Sequence, residues 1–427
     1  MFRTAPGELL RTRFRALTHR NFRLFWSGQL VSLIGTWMQS VAQGWLMHRL
    51  TGSAFMLGVL GFAQFLPVML LALWAGVVAD RMDKRRLILT TQVLMLGQTI
   101  ALASVVSLGV VQPWMVIGLA LVFGTVNAFD LPARQSFLID MVGKEDLPNA
   151  IALNSAAFNT ARVLGPAVAG VVMAGAGEGV CFWINALTFL AVIAVLLRLD
   201  LAPHVAERDP GKSTLATLRE GVDYALGNRQ IRNLLALLGV TAGLGFQYMV
   251  LLPVYARDIL HANEKAYGLM VAAFGLGSLL SAVVMTGPQD RWALRRNLLV
   301  GLGSAGVGMG VFAWSRALPL TLAMGFLAGF GLILYVASTN TLLQLTTEDR
   351  FRGRIMSLYT FMFIGTAPIG ALMSGGIAQR WGAPAATSGS ALVLLGGALW
   401  VSYRLRTLAA REAAGTALPV LPENVGR

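Results

Sequence analysis

Read in windows of about 19 residues, this chain breaks into twelve long apolar runs. Each is close to the ~20 residues an α-helix needs to cross a ~30 Å hydrocarbon core. In the first half they lie near 22–47, 54–79, 87–108, 113–133, 150–174 and 179–197. In the second half they lie near 231–256, 266–287, 297–314, 319–343, 355–379 and 385–403. The runs are continuous and do not alternate in ten-residue segments, which excludes barrel strands. Only 13% of the 427 residues are charged while 56% are hydrophobic. A soluble chain carries about 25% charge, so there is too little here to cover a water-facing surface. The expected fold class is an all-α integral membrane protein with twelve transmembrane helices.

The net charge of +14 raises the question of nucleic acid, and the placing of the bases answers it. Segments between alternate runs hold nearly all the Lys and Arg. Arg49, Arg257, Lys265, Arg316 and Arg380 fall on the other side, and Arg162 falls inside a run. This asymmetry is the positive-inside pattern, which puts both termini in the cytoplasm. A basic face against anionic membrane lipid accounts for the charge without nucleic acid. Cys181 is the single cysteine, and His19, His48, His204 and His261 are scattered, so neither a disulfide framework nor a metal site is expected. No short apolar leader with a small-residue cleavage site precedes residue 22, so no signal peptide is expected.

The longest polar interval runs from about Arg198 to Arg232 and divides the runs six and six. The expected organisation is a basic N-terminal segment (1–21), a six-helix bundle (22–198), a central loop with an amphipathic helix (199–230), a second six-helix bundle (231–405) and a C-terminal tail (406–427). The halves read as repeats. Arg20 and Arg23 before the first run return as Arg229 and Arg232. Asp80-Arg81 returns as Asp290-Arg291, and Glu145-Asp146 returns as Glu348-Asp349. Two six-helix halves related by an axis along the membrane normal form a transporter architecture.

The segment Gly76-Val-Val-Ala-Asp80-Arg81-Met-Asp83-Lys84-Arg85-Arg86 resembles the signature loop of the major facilitator superfamily, with Asp83 where that family usually has Gly. Gly165-Pro166-Ala-Val-Ala169-Gly170 in the fifth run resembles the exporters' Gly-Pro-x-x-Gly-Gly motif, with Ala169 for one Gly. With Leu131-Pro-Ala-Arg134, these match the enterobactin-exporter-like, transmembrane secretion effector branch. The resemblance implies a bacterial inner-membrane transporter acting by alternating access, with a cytoplasmic gate formed by Gly76, Asp80, Arg81, Lys84 and Arg85. It implies Asp130 as acidic partner of that basic cluster, and Asp290 and Arg291 as its echo. Read from the residues alone, these charges could equally be solvated loop groups that obey the orientation bias.

Arg162 is the cation in mid-span, with Asn154 and Phe158 on the same helical face. It reads either as a binding group for an anionic or phenolic substrate or as a tether between helices. Gln29, Ser32, Thr36, Gln39 and Gln43 form a polar stripe along the first run, which should face protein or water. With Gln247, Tyr248 and Tyr335 from the second half, they are the expected cavity residues. Gly165, Pro166 and Gly170 predict a kink or tight helix seam.

Gly211-Lys212-Ser213 lacks the first glycine of a phosphate loop, and Gly301, Gly303 and Gly306 sit inside a run, so no nucleotide cofactor is expected. The absence of paired carboxylates or a nucleophile constellation argues against an enzyme. The expected function is export of a small amphipathic molecule, siderophore-like or drug-like, by a monomer; nutrient uptake is the alternative. Proton coupling follows from the resemblance alone.

Overall fold

The computed structural model describes residues 14–199, 214–287 and 289–413, which are helical almost throughout. A short 3-10 turn, Arg15–Thr18, leads into α1, Arg20–Thr51; α2 is Ala54–Arg81 and α3 is Lys84–Ser107. The next helical stretch, Pro113–Ala176, has 64 residues and divides at Gly143 (φ 72°, ψ 178°). Glycine takes this left-handed φ without a Cβ clash. The stretch therefore gives α4 at 113–142 and α5 at 144–176. Helix α6 is Glu178–Arg198 and the linker helix α7 is Thr214–Gly227. The second half holds α8, Arg229–Ile259; α9, Glu264–Val284; α10, Arg291–Trp314; α11, Leu318–Thr346; α12, Asp349–Trp381; and α13, Ala383–Ala413.

Among the described residues, ten helical stretches are long and apolar enough to cross a membrane. Pro113–Ala176 is one of them, and divided at Gly143 it overlays two expected runs. Helix α1 is not among the ten, although its 32 residues suffice in length. The polar stripe expected there dilutes its apolar character. One difference from the expected runs has a plain cause. The interval between 133 and 150 is helical, not a loop, because Arg134, Ser136 and Asp140 end the apolar run without ending the helix.

Within the first half, α1 packs on α5 and α6, and α3 on α6; within the second, α10 packs on α11 and α13, and α9 on α11. The halves meet along two seams, α5 with α9 and α2 with α12. Both seams rest on facing glycines. A Cβ on Gly268 would stand 2.5 Å from the Pro166 carbonyl oxygen and 2.8 Å from Gly170 Cα. A Cβ on Gly58 would stand 2.7 Å from the Ala371 carbonyl oxygen and 3.1 Å from Gly375 Cα. Small residues of this kind let helix backbones approach in a membrane. The two contacts are counterparts in the repeat, so Gly375 in α12 takes the position that Gly170 takes in α5.

The second half contains broken helices. Helix α8 passes through a π-turn at Thr241–Gly245 and another at Tyr255–Ile259. Helix α12 breaks between Asp349–Ile364 and Ala367–Trp381. The breaks lie side by side, with Gly370 directly against the Gly243 carbonyl oxygen. Such interruptions often mark functional positions in transporter helices.

Candidate functional site

Near the middle of α5, the Arg162 guanidinium donates from Nη2 to the Tyr248 hydroxyl at 2.8 Å. Tyr248 follows the break in α8, so this bond joins the two halves. The guanidinium also lies 5.8 Å from the Trp37 ring centroid. Trp37 meets Phe158 edge to face at 5.7 Å, and Tyr248 stacks on Phe274 at 4.0 Å. Phe158 stays 45% exposed, so one wall of this aromatic cluster is open. No carboxylate pairs with Arg162 among the described residues. A cation held by one neutral hydroxyl and aromatic faces is equipped to receive an anionic or phenolic group. The sequence placed Phe158 on the face of Arg162 and singled out Tyr248 separately; the fold brings Tyr248 to them.

The polar stripe of α1 divides by depth. Gln29 donates to Asn154 at 3.0 Å, on the α5 face that carries Arg162. Gln39 turns into the first half, accepting from Asn185 at 2.7 Å and Thr99 at 3.1 Å. Gln43 donates to the Val116 carbonyl at 3.3 Å. Ser32 is buried and Thr36 half-buried. Gln39 and Gln43 are thus internal ties of one bundle. In the second half, Tyr335 is fully buried and accepts from Thr241 at 3.1 Å, while Gln247 donates across its own helix break to the Ala242 carbonyl at 3.1 Å. Gly165 lets α5 lie against Ile34 and Trp37 of α1, beside Pro166; Gly170 faces α9.

The face that carries the start of α1 and the end of α2 holds the residues of the expected gate. Asp80 lies one residue before the end of α2, and its side chain is outside the described residues. Gly76 has open space around it, and Arg81 is exposed. Lys84 pairs with Asp140 at 3.0 Å, and Arg85 donates to the last carbonyls of α6, Leu196 at 2.9 Å and Leu197 at 3.0 Å. Cations are favourable at such a helix end. Asp130 accepts from Thr91 at 2.6 Å and Gln92 at 3.1 Å and pairs with Arg134 one turn on. The acid that meets the basic cluster is therefore Asp140, not Asp130, because the helical stretch after 133 carries Asp140 to the head of α3.

A second correction concerns the echo. Asp290 caps α10 by accepting from the Ala293 amide at 2.6 Å, and Asp83 caps α3 in the same way from Arg86 at 2.7 Å. The counterpart of Asp290 is Asp83, not Asp80. Helix register decides equivalence here, whereas the matching dipeptides did not. Asp83 also has its own physical role, an N-cap. Arg291 donates to the Leu345 carbonyl at 2.9 Å, at the end of α11.

Each half also carries a strap on this face. Arg15 pairs with Glu145 at 2.7 Å and Asp146 at 3.0 Å, and His19 with Asp146 at 2.7 Å, which ties the turn before α1 to the head of α5. Linker helix α7 is tied to the head of α12 by Glu220–Arg354 at 3.1 Å and by Tyr224 stacked on Phe351 at 4.1 Å. Among the described residues, every ion pair on this face stays within one half, lies within α7 or ties α7 to the second half.

The opposite face is closed across the halves by contacts that no motif announced. His48 of α1 meets Asp258 of α8 at 2.9 Å, Ser53 donates to Gln379 at 2.8 Å, and Trp45 stacks on Tyr267 at 5.5 Å. A usable signal was present: 210 residues separate His48 from Asp258, close to the spacing of the repeat.

Residues 11–424 match the family described as transmembrane secretion effector. The chain belongs to that family of major facilitator superfamily transporters. This secretion-effector transporter is similar to a Staphyloferrin A transporter of Staphylococcus aureus, 25% identical over 84% of this chain and 90% of the relative. It is 27% identical to the multidrug efflux pump Tap of Mycolicibacterium fortuitum, over 90% and 92% of the two chains. It is also 27% identical to the enterobactin exporter EntS of Citrobacter koseri, over 89% and 91%. The nucleoside transporter NupG, 13% identical, shares the fold with a TM-score of 0.69 over 91% of this chain and 98% of that one. The protein is a multi-pass membrane transporter and not an enzyme.

Proposed function

We propose that this transporter exports a small amphipathic anion, siderophore-like or drug-like, across the bacterial inner membrane by alternating access. Both termini face the cytoplasm in this reading, as the placing of the bases requires. The arrangement is then closed to the outside and ready to receive a molecule from within. The observation that carries the reading is Arg162 bonded to Tyr248 between the halves at 2.8 Å, with no carboxylate partner among the described residues. A carboxylate or phenolate would exchange a neutral hydroxyl for a charge-assisted bond, and Trp37 and Phe158 supply apolar contact for the rest of the molecule. The relatives, an enterobactin exporter and a multidrug efflux pump among them, support the direction and the substrate class. Protons are the coupling ion by family resemblance, and one chain carrying both halves acts as a monomer in lipid.

Two measurements test this. Strains lacking or overproducing the protein are compared by untargeted mass spectrometry of medium and cells; an exported compound moves between the two. With that compound in inverted vesicles, Arg162→Ala lowers transport by about 10- to 100-fold, the worth of a charged hydrogen bond, while the protein elutes from detergent as wild type does. Unchanged transport removes Arg162 from the site.

A further inference from the structure

His48 and Asp258 form the one histidine–carboxylate contact among the described residues that joins the two halves, Nε2 to Oδ2 at 2.9 Å, and no other acid–base pair crosses between them. They stand 210 residues apart, and the same spacing relates Gly58 to Gly268 and Ala54 to Glu264 in the two glycine seams. Each residue is thus the other's counterpart in the duplicated plan. In a two-fold arrangement a residue meets its own counterpart only on the axis. The bond therefore marks the pseudo-symmetry axis at the closed face, with the Gly58–Gly375 and Gly170–Gly268 contacts flanking it. Rocking the halves to open this face has to part this pair.

The chemistry of the pair makes its closure dependent on protons. His48 is 1% exposed, and its Nδ1 is buried with no hydrogen-bond partner among the described residues. A neutral imidazole donating from Nε2 satisfies Asp258 and leaves only a bare acceptor at Nδ1. A protonated ring would bury an Nδ1–H with nothing to receive it. The charged neighbours are Asp258 with Arg257 on α8, Arg316 from the turn before α11, and Arg49 of α1, which is paired to Glu178 of α6 at 2.8 Å. Glu264 and Lys265 open α9 against α5, and Gln379 comes from α12. A pocket of about 320 Å³ lined by His48, Asp258, Arg316 and Gln379 opens to solvent here, and the Asp258 side chain is 47% exposed. Water and protons reach the pair from this face.

We propose that His48 and Asp258 form an axial proton-binding latch. With the imidazole neutral the halves close over it, and a proton taken from the solution on this face onto Nδ1 holds them apart. A proton that can bind only when the pair is parted stabilises the open arrangement, so acid on this face favours its opening. The proposal rests on the alternating-access reading above.

The test uses the full-length protein in proteoliposomes, spin-labelled at Leu108→Cys and Trp314→Cys, exposed positions in opposite halves near the closed face. Cys181 is fully buried and stays unlabelled. Pulsed EPR distances are recorded on samples frozen between pH 5 and 8. In the otherwise wild-type chain the long-distance population rises about 10-fold from pH 8 to pH 5.5, a one-unit change in a single titrating group. His48→Gln, which keeps a donor and cannot titrate, gives a pH-independent distribution; Asp258→Asn serves if that variant does not fold. The exchange of His48→Asp with Asp258→His restores the pH dependence, since the two positions are counterparts. The same pH response in His48→Gln as in wild type overturns the latch, and so does a pH-independent exchanged pair. A single distance at every pH, in the wild type and all variants, overturns the alternating-access reading itself.

Discussion

In the first half, α1 runs unbroken for 32 residues and is held by polar side chains: the Asn185 and Gln98 amides and the Thr99 hydroxyl all bond to Gln39. In the second half its counterpart α8 is interrupted by two π-turns, and much of the bundle is held by glycine against backbone. Gly277 faces the Phe326 carbonyl, Gly329 the Phe274 carbonyl and Gly301 the Gly331 carbonyl. Directional bonds fix a register, whereas smooth backbone contacts permit small slides and bends. From this contrast we expect a stiffer first bundle and a more flexible second one, with the Arg162–Tyr248 bond between them.

Substitutions can break this contrast. The largest effect is expected at the seams, where both halves take part equally. Gly268→Leu and Gly58→Leu each place a side chain onto a backbone carbonyl and abolish closure; both lower transport by at least about 100-fold, the worth of a ~3 kcal/mol strain. A loss at only one seam would show that the seams do not act as a pair. Next comes hydrogen exchange. Amides at 241–247 in α8 exchange about 30-fold faster than those at 32–38 in α1, a difference of about 2 kcal/mol in local opening. Equal protection would remove the claim that the second half is the flexible one.

A smaller effect is expected on thermal stability in detergent. Asn185→Ala removes one of the buried hydrogen bonds to Gln39, leaving those of Thr99 and Gln98, and costs about 1 kcal/mol. Ser278→Ala, in the glycine-packed bundle, costs about 0.6 kcal/mol. The smallest effect tests the repeat: Asp83→Ala and Asp290→Ala each remove an N-cap and each cost about 1 kcal/mol. Unequal losses would undo their equivalence.

Much of this was legible in the sequence. The apolar runs give the helices because length and hydrophobicity alone decide a membrane crossing. Arg162 stood out because a mid-span cation needs a reason. The rest depended on pairs. Gly58 carries no sign that Gly375 will face it, and His48 looks isolated until Asp258 is placed opposite. Asp80 and Asp290 share a dipeptide, yet helix register gives Asp290 to Asp83. Gln39 and Gln43 follow the same stripe as Gln29, but the twist of α1 turns them into the bundle.

The strap from Arg15 to Glu145 and Asp146 has a consequence for how the chain is made. It ties the turn before α1 onto the head of α5, so this fastening of the first bundle lies wholly within residues 15–198. The linker helix, by contrast, is fastened to α12 through Arg354 and Phe351 and waits for late-made chain. Two successive assemblies are the expected course, and halves supplied as separate polypeptides, divided ahead of α7, are expected to reassemble into a transporter, which transport by a co-expressing strain checks.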